Sequence, residues 1–373
     1  MASSETVFQT YPLDQIYFYL TKGCNLRCRH CWVEPKYQTE DRTYPALDLK
    51  TFRSIINQAK PLGLTRVKLT GGEPLLHPQF FEILEIIRTE DLILNVETNG
   101  ILCSQLFAEA IAACKNPFVS VSLDGANAET HEWVRGVEGC FEAALEGARN
   151  LTKAGLTTQL IMSVMKRNKD HLKDMVRIAE SIDAESVKFN IVQPAARGKN
   201  LFERGEILTI EELVRLGEWV EKELTPSTNL RVIFSHPHAF QPLSTLFGSN
   251  GDGCSTCGIL SIIGVLADGS YALCGIGETV SELVFGHAAK ERLSDIWSDA
   301  KVLTELRQGL PRMFGGICGD CIMRDICLGN CVAQNYYMSK SLWAPFWYCE
   351  QANQAGLFPS SRKKSAQNQS RLL

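Results

Sequence analysis

No stretch of the 373-residue chain approaches the roughly 18 uncharged apolar residues of a membrane span. The opening MASSETVFQTYPLDQ has no basic segment and no apolar run, so it does not form a secretory signal. Positive charge is not in excess: 38 Lys and Arg against 42 Asp and Glu leave a net charge of −4, which excludes a broad nucleic-acid-binding surface. No repeat of fixed period and no low-complexity core is present, and an apolar fraction of 45% excludes disorder as the main state. What remains is the expectation of a soluble cytoplasmic protein with neither nucleic acid nor membrane as partner. At about 100–200 residues per domain, the length suggests two or three domains.

Cysteine is abundant instead. Of the 14 cysteines, three lie in 24–31 and eight in 254–349, leaving Cys103, Cys114 and Cys140 alone in helical patterns. In a reducing compartment, clustered cysteines bind metal or do chemistry rather than form disulfides. The three isolated ones read as small core residues.

The first 200 residues alternate β-like runs with amphipathic helical stretches. Strands are predicted at 16–21, 66–70, 92–98, 118–123, 157–165 and 186–192, and helices near 48–61, 78–89, 104–114, 138–154 and 170–182. This reads as βαβ units around a parallel sheet, an α/β partial barrel of six units over 1–194. Residues 195–253 read as a bridging region: a polar connector at 195–206, a helix at 209–224 and a short strand at 230–234. Residues 254–350 form a small cysteine-rich domain with β-hairpin patterns. Residues 351–373 read as a polar, disordered tail.

Cys24, Cys28 and Cys31 form a C-x3-C-x2-C array directly after the first strand. Loops at the carboxyl ends of barrel strands build active sites. Three thiolates on one loop can hold three irons of a four-iron cluster and leave the fourth iron open; the alternative is zinc with His30 as fourth ligand. Gly71-Gly72-Glu73-Pro74 follows the second strand, 40 residues after Cys31. Its glycines allow close backbone approach to a ligand, and its carboxylate can accept from an ammonium group. Thr98-Asn99-Gly100 ends the third strand, Ser122 the fourth, and Arg135 follows in HEWVRG.

On these motifs, the sequence resembles the radical S-adenosylmethionine (radical SAM) superfamily. The resemblance implies a four-iron, four-sulfur (4Fe–4S) cluster on Cys24, Cys28 and Cys31 that binds SAM at its open iron. It also implies reductive cleavage of SAM to methionine and a 5′-deoxyadenosyl radical that takes a hydrogen atom from the substrate. By position, Gly71, Gly72, Glu73 and Pro74 would bind the methionyl amino group, and His30 would lie beside the adenine. Thr98 and Asn99 would sit near the cofactor, and Ser122 and Arg135 would contact the SAM ribose or carboxylate.

The second cysteine block reads Cys257-x11-Gly269-x4-Cys274, then Cys318-x2-Cys321-x5-Cys327-x3-Cys331, then Cys349, with Cys254 three residues ahead. This resembles the SPASM extension of peptide- and protein-maturing radical SAM enzymes. The resemblance implies two auxiliary 4Fe–4S clusters, one on Cys254, Cys257, Cys274 and Cys331, the other on Cys318, Cys321, Cys327 and Cys349. A pair of zinc sites is the alternative reading of these cysteines alone.

Fully ligated auxiliary clusters favour electron transfer. The expectation is an enzyme that abstracts hydrogen from a ribosomally made peptide and forms an oxidative C–C, C–S or C–O cross-link. A donor such as flavodoxin or ferredoxin would supply the reducing electron. Only 23 residues precede Cys24. Leader recognition is therefore expected to use the bridge (with Arg197, Lys199, Arg204, His236 and His238), a separate leader-binding protein, or no leader. The loop 35–45 is a candidate lid. Open alternatives are a peptide epimerase with Cys103 as hydrogen donor, a tetrapyrrole-modifying enzyme, and a sulfatase-type maturase. The last is weakened because Gly275 stands where that group carries an aspartate after the cysteine. A non-enzymatic iron–sulfur or zinc protein is the alternative of another class.

Overall fold

The computed structural model describes residues 11–248 and 257–364. Its strands are β1 (Gln15–Tyr19), the short pair β2 (Gly23–Cys24) and β3 (Lys36–Tyr37), β4 (Arg66–Thr70), β5 (Ile93–Thr98), β6 (Lys115–Ser122), β7 (Thr157–Val164), β8 (Ser186–Ile191), β9 (Arg231–Phe234), β10 (Ile262–Val265), β11 (Ser270–Ala272) and β12 (Val284–His287). Strands β1, β4, β5, β6, β7 and β8 run parallel in that order, which is the expected partial barrel, and the sheet stays open.

The helices α1 (Leu49–Ala59), α2 (Phe80–Thr89), α3 (Gln105–Ala112), α4 (Ala128–Arg135), α5 (Cys140–Lys153) and α6 (Leu172–Ser181) lie between these strands in sequence. The first begins at Asp48, whose Oδ2 accepts from the Thr51 N–H at 2.9 Å and satisfies one orphan donor of the helix start. It lays Phe52 on Phe18 of β1, ring centroids 4.4 Å apart, both fully buried.

Four features depart from the sequence reading. The α4 helix lies in a stretch with no predicted helix. Its buried face is Thr130, His131, Val134 and Arg135, largely polar, so apolar periodicity carries no trace of it. The polar connector contains α7 (Arg197–Glu203), ahead of α8 (Ile210–Trp219). One leucine, Leu201, anchors α7 among Val134, Met165 and Val192, and seven residues with one apolar anchor show no period.

Third, the sheet crosses the expected domain boundaries. From the bridge, β9 pairs in parallel with β8; from the cysteine-rich segment, β10 pairs in parallel with β1, and β11 and β12 extend it antiparallel to ten strands. Fourth, the expected disordered tail is packed as far as residue 364. The helix Trp347–Gln354 runs into it, Phe358 is buried edge-on against Phe240, and the Lys364 N–H donates to Asp320 O at 2.9 Å. Residues 365–373 lie outside the described residues.

Truncating Phe52→Ala removes a ring at the α1–β1 contact and leaves a cavity. We expect a loss of about 3–5 kcal/mol of unfolding free energy. Anaerobic urea titration followed by far-UV circular dichroism measures it; a loss below about 1 kcal/mol would mean that α1 contributes little to holding β1.

Candidate active site

The cysteine loop leaves the end of β1 and is tied down along its length. Parallel pairing of β2 with β3 closes it, with Lys36 N donating to Lys22 O and Gln38 N to Cys24 O, both at 2.8 Å. The α4 helix grips its middle: Arg27 N donates to Arg135 O at 3.0 Å and Arg29 N to Val134 O at 2.9 Å. Arg197, expected in a peptide groove, instead turns its guanidinium onto the loop, donating to Pro35 O at 2.6 Å and Cys28 O at 3.4 Å. Cys24, Cys28 and Cys31 all line one cavity of about 400 Å³. Burial, then the charge of Cys28, pushes the Cys24 thiol well above its ordinary range, and the same two causes raise Cys31.

The Gly71–Pro74 turn lies against this loop. Gly71 has φ +134°, in the region that favours glycine. A Cβ at Gly72 would come within 1.9 Å of Gly23 O, so only glycine allows the turn this close. Two backbone bonds join the segments, Gly72 N to Thr21 O and Glu73 N to Gly23 O, each 3.0 Å. Pro74 starts a short 3-10 turn and is buried.

Glu73 is 1% exposed. Its carboxylate accepts from Thr98 Oγ1 at 2.7 Å, Asn99 N at 2.9 Å and Leu75 N at 3.2 Å. The Thr98-Asn99 turn is thus the support of Glu73. Asn99 also reaches the cysteine loop, donating from Nδ2 to Asn25 Oδ1 at 2.7 Å. Burial pushes the Glu73 carboxyl up to about 7, against the pull of its three donors.

A residue the sequence reading did not single out joins three residues of the cavity lining, His30, Arg135 and Ser163. Asp124, fully buried, places Oδ2 2.8 Å from Arg135 Nε and 3.6 Å from His30 Nε2. Burial alone would raise its carboxyl, but Arg135 and then His30 hold it below the usual range. Arg135, 7% exposed, donates from Nη1 to Cys28 Sγ at 3.5 Å. His30 therefore points at a carboxylate; a zinc site closed by His30 is not assembled, and no three His, Cys, Asp or Glu side chains among the described residues converge as a single ion requires. Three thiols, two buried and one half-buried, without a fourth protein ligand and beside a cavity, match the donor chemistry of a cluster with one open iron. Ser122 lines the same cavity.

Cys274 and Cys331 also line that cavity. Cys257 lies with them: burial raises it to about 12, and the charge of Cys331 adds to the rise. Cys254 lies outside the described residues. A separate group brings together Cys318, Cys321, Cys327 and Cys349. Burial lifts Cys349 well above its ordinary range, reinforced by the other three. Backbone N–H groups already point at two of these sulfurs, Phe346 N at Cys318 and Met323 N at Cys321, each 3.3 Å.

The solitary cysteines behave differently from one another. Cys103 is 1% exposed behind Thr98 and is absent from the cavity lining, so it is not placed to donate a hydrogen atom there. Cys114 is core, and Cys140 packs against Cys24, Leu26 and Cys28. His236 and His238 are each 4% exposed and do not line the cavity that holds the three thiols. Tyr19 explains the glycine after Cys274: a Cβ at Gly275 would meet its ring at 2.3 Å. Tyr19 itself lines the cavity and was not legible as a site residue.

Comparison with known proteins agrees with this geometry. Residues 18–179 match the radical SAM superfamily. The chain is 29% identical over 332 residues to an AdoMet-dependent heme synthase of Methanosarcina barkeri, covering 85% of this chain and 90% of that protein. It is 28% identical over 340 residues to the mycofactocin maturase MftC of Mycobacterium ulcerans, covering 89% and 86%. Streptococcus suis SuiB, solved bound to its precursor peptide SuiA, superposes with a TM-score of 0.70 at 19% identity, over 91% of this chain and 76% of that one. The chain is an enzyme with a radical SAM domain over residues 18–179, and along most of its length it is similar to radical SAM maturases and heme synthases.

Proposed function

We propose that the chain modifies a ribosomally made peptide, taking a hydrogen atom from a side chain and closing an oxidative C–C, C–S or C–O cross-link. The observation that carries this reading is that one cavity is lined both by Cys24, Cys28 and Cys31 and by Cys274 and Cys331. A substrate group held there lies between the site of radical generation and a second set of thiols able to take an electron away. When bound, the first cluster and SAM supply reductive cleavage to methionine and a 5′-deoxyadenosyl radical.

The chain's own residues do the rest. Cys24, Cys28 and Cys31 hold the cluster by three irons, and the 71–74 turn receives the methionyl ammonium, with Glu73 as its counter-charge. Thr98 and Asn99 keep Glu73 in place, and His30 and Ser122 border the remainder of SAM. Cys254, Cys257, Cys274 and Cys331 hold one auxiliary cluster; Cys318, Cys321, Cys327 and Cys349 hold the other. The amides of Asn190, Gln193 and Gln334 line the cavity and suit a peptide backbone. A small acidic one-electron carrier such as flavodoxin or ferredoxin fits as donor. A separate leader-binding protein is the natural partner if the peptide carries a leader.

The heme synthase relative favours a second reading, tetrapyrrole modification. The cavity speaks for the peptide. Among its lining residues Arg135 is the one Lys or Arg, and it is committed to Asp124; the nearby Lys68 is paired to Glu97 at 2.8 Å. A porphyrin with several carboxylates would find no free Lys or Arg among the described lining residues.

Reconstituted anaerobically, the chain should carry about 12 irons and release 5′-deoxyadenosine on reduction with SAM; replacing Cys24, Cys28 and Cys31 by Ala should leave about 8 and abolish release. Release from the triple variant would sink the cluster assignment. With short peptides from any reading frames found beside the gene as substrates, the product should be lighter by two hydrogens in mass spectrometry. Decarboxylation of a propionate-bearing porphyrin, with those peptides untouched, would establish the tetrapyrrole reading instead.

Glu73 makes SAM binding depend on pH. Its carboxyl is raised to about 7, so below that pH it is protonated and loses its attraction for the ammonium. SAM affinity should therefore rise as pH passes upward through 7, and Glu73→Gln should flatten the profile. At pH 8 that variant should lose roughly 1.5–3 kcal/mol, on the order of tenfold to a hundredfold in affinity, the range of a hydrogen bond to a charged group. Equilibrium dialysis over pH 6–8 measures it, and an unchanged affinity would remove Glu73 from the SAM site.

A further inference from the structure

Asp124 is fixed from five directions. Its Oδ1 accepts from Ser163 N at 2.7 Å; its Oδ2 faces Arg135 Nε at 2.8 Å and His30 Nε2 at 3.6 Å. Its own N–H donates to His131 Nδ1 at 3.1 Å, and its carbonyl accepts from Asn168 Nδ2 at 2.9 Å. A carboxylate held this way fixes the guanidinium that pairs with it. Arg135 is further pinned by its backbone, whose carbonyl accepts from Arg27 N at 3.0 Å on the cysteine loop. With Nε on Asp124, the planar fork sends Nη1 to Cys28 Sγ at 3.5 Å. Its Nε is held by the buried ion pair and its Nη1 by the sulfur, so only Nη2 could reach a second carboxylate unless that pair were broken, which is strongly unfavourable.

We infer that Arg135, positioned by Asp124, donates to the Cys28 sulfur and thereby raises the reduction potential of the cluster on Cys24, Cys28 and Cys31, and that it is not the ligand of the SAM carboxylate. The inference rests on the assignment of those three cysteines as cluster ligands. A reduced cluster carries one more negative charge than an oxidised one. A donor on a ligating sulfur stabilises the charge that accumulates there, and hydrogen bonds to sulfur are a principal lever on such potentials. Arg135 and Cys28 are both buried, so the bond acts at low dielectric. Because Asp124 cancels the charge of Arg135, the effect comes chiefly from the directed N–H rather than from net charge. Arg135 and Asp124 are thus positioning residues: they touch the cluster ligand and its loop.

The test is a pair of measurements on the reconstituted full-length protein. The midpoint potential of the cluster whose paramagnetic resonance signal changes on adding SAM is titrated anaerobically, and the SAM dissociation constant is measured by equilibrium dialysis. Arg135→Met combined with Asp124→Asn removes both charges together, leaving the net charge of the site unchanged. The expected result is a potential lower by about 59 mV or more, a tenfold change in the one-electron equilibrium, with SAM affinity retained. An unchanged potential overturns the inference, and an unchanged potential with about tenfold weaker SAM binding makes Arg135 a SAM ligand instead. Should the double variant not fold, Arg135→Lys decides: it keeps the charge and the pairing with Asp124 but loses the fork. Its potential should also fall, and an unmoved one overturns the inference. A wild-type chain that binds no cluster sinks the cysteine assignment and this inference with it. A wild-type cluster with unmoved potentials in the variants sinks this inference alone.

Discussion

The arrangement of the site depends on one buried charge. Asp124 has no exposed surface, and an ionised carboxylate in that position is tolerable only when every oxygen is matched. Matching it recruits Arg135 from α4, His30 from the cysteine loop and the backbone of Ser163 on β7. Each partner belongs to a different segment, so satisfying one carboxylate registers the loop, a helix and a strand against each other. The same helix also pairs its backbone with the loop at Arg27 and Arg29. Side-chain and main-chain ties therefore fix the three thiols from one side, while the Gly71–Pro74 turn fixes them from the other.

A second constraint comes from the sheet. Strand β1 lies between β4 and β10, so the chain that leaves its carboxyl end into the cysteine loop stands between two others. After β4 comes the Gly71–Pro74 turn; beyond β10 and the returning β11 comes Cys274. Parallel register thus brings the cysteine loop and the Gly71–Pro74 turn to one rim, while the antiparallel β11 carries Cys274 back beside Gly264. The Tyr19 ring shows how tight the junction is, since it fills the space that any side chain at 275 would need. Close packing there fixes the separation between the first thiol set and Cys274, and close-packed contacts do not slide by small amounts.

Much of this was legible from residue order. Six strands and their helices were readable because strands such as β4, β5 and β8 alternate buried apolar residues with polar ones and the covering helices carry one apolar stripe. The cysteine spacings were legible because ligand geometry fixes them. What escaped has a common physical cause. The α4 helix buries Thr130, His131 and Arg135, so its inward face looks polar, and α7 is anchored by Leu201 alone. Asp124 reads as an ordinary turn residue in SVSLDG; its partners lie far off in the chain, and only folding shows that its charge is enclosed. The tail after 350 looked soluble because Phe358, its one buried aromatic, is surrounded by polar neighbours in sequence.

The distribution of charge in the cavity bears on what it can hold. The walls carry Glu73, Glu97 and Arg135, with the arginine already neutralised by Asp124 and Glu97 by Lys68. Glu73 is then the one acid without a cationic partner, and burial leaves it poised near 7 between its two states. A cavity of this kind receives a single ammonium at Glu73 and otherwise presents amides, hydroxyls and apolar walls. It is suited to a cofactor carrying one amino group beside a largely neutral substrate. That is the charge balance of SAM next to a peptide segment, and it follows from which buried groups have partners and which has none.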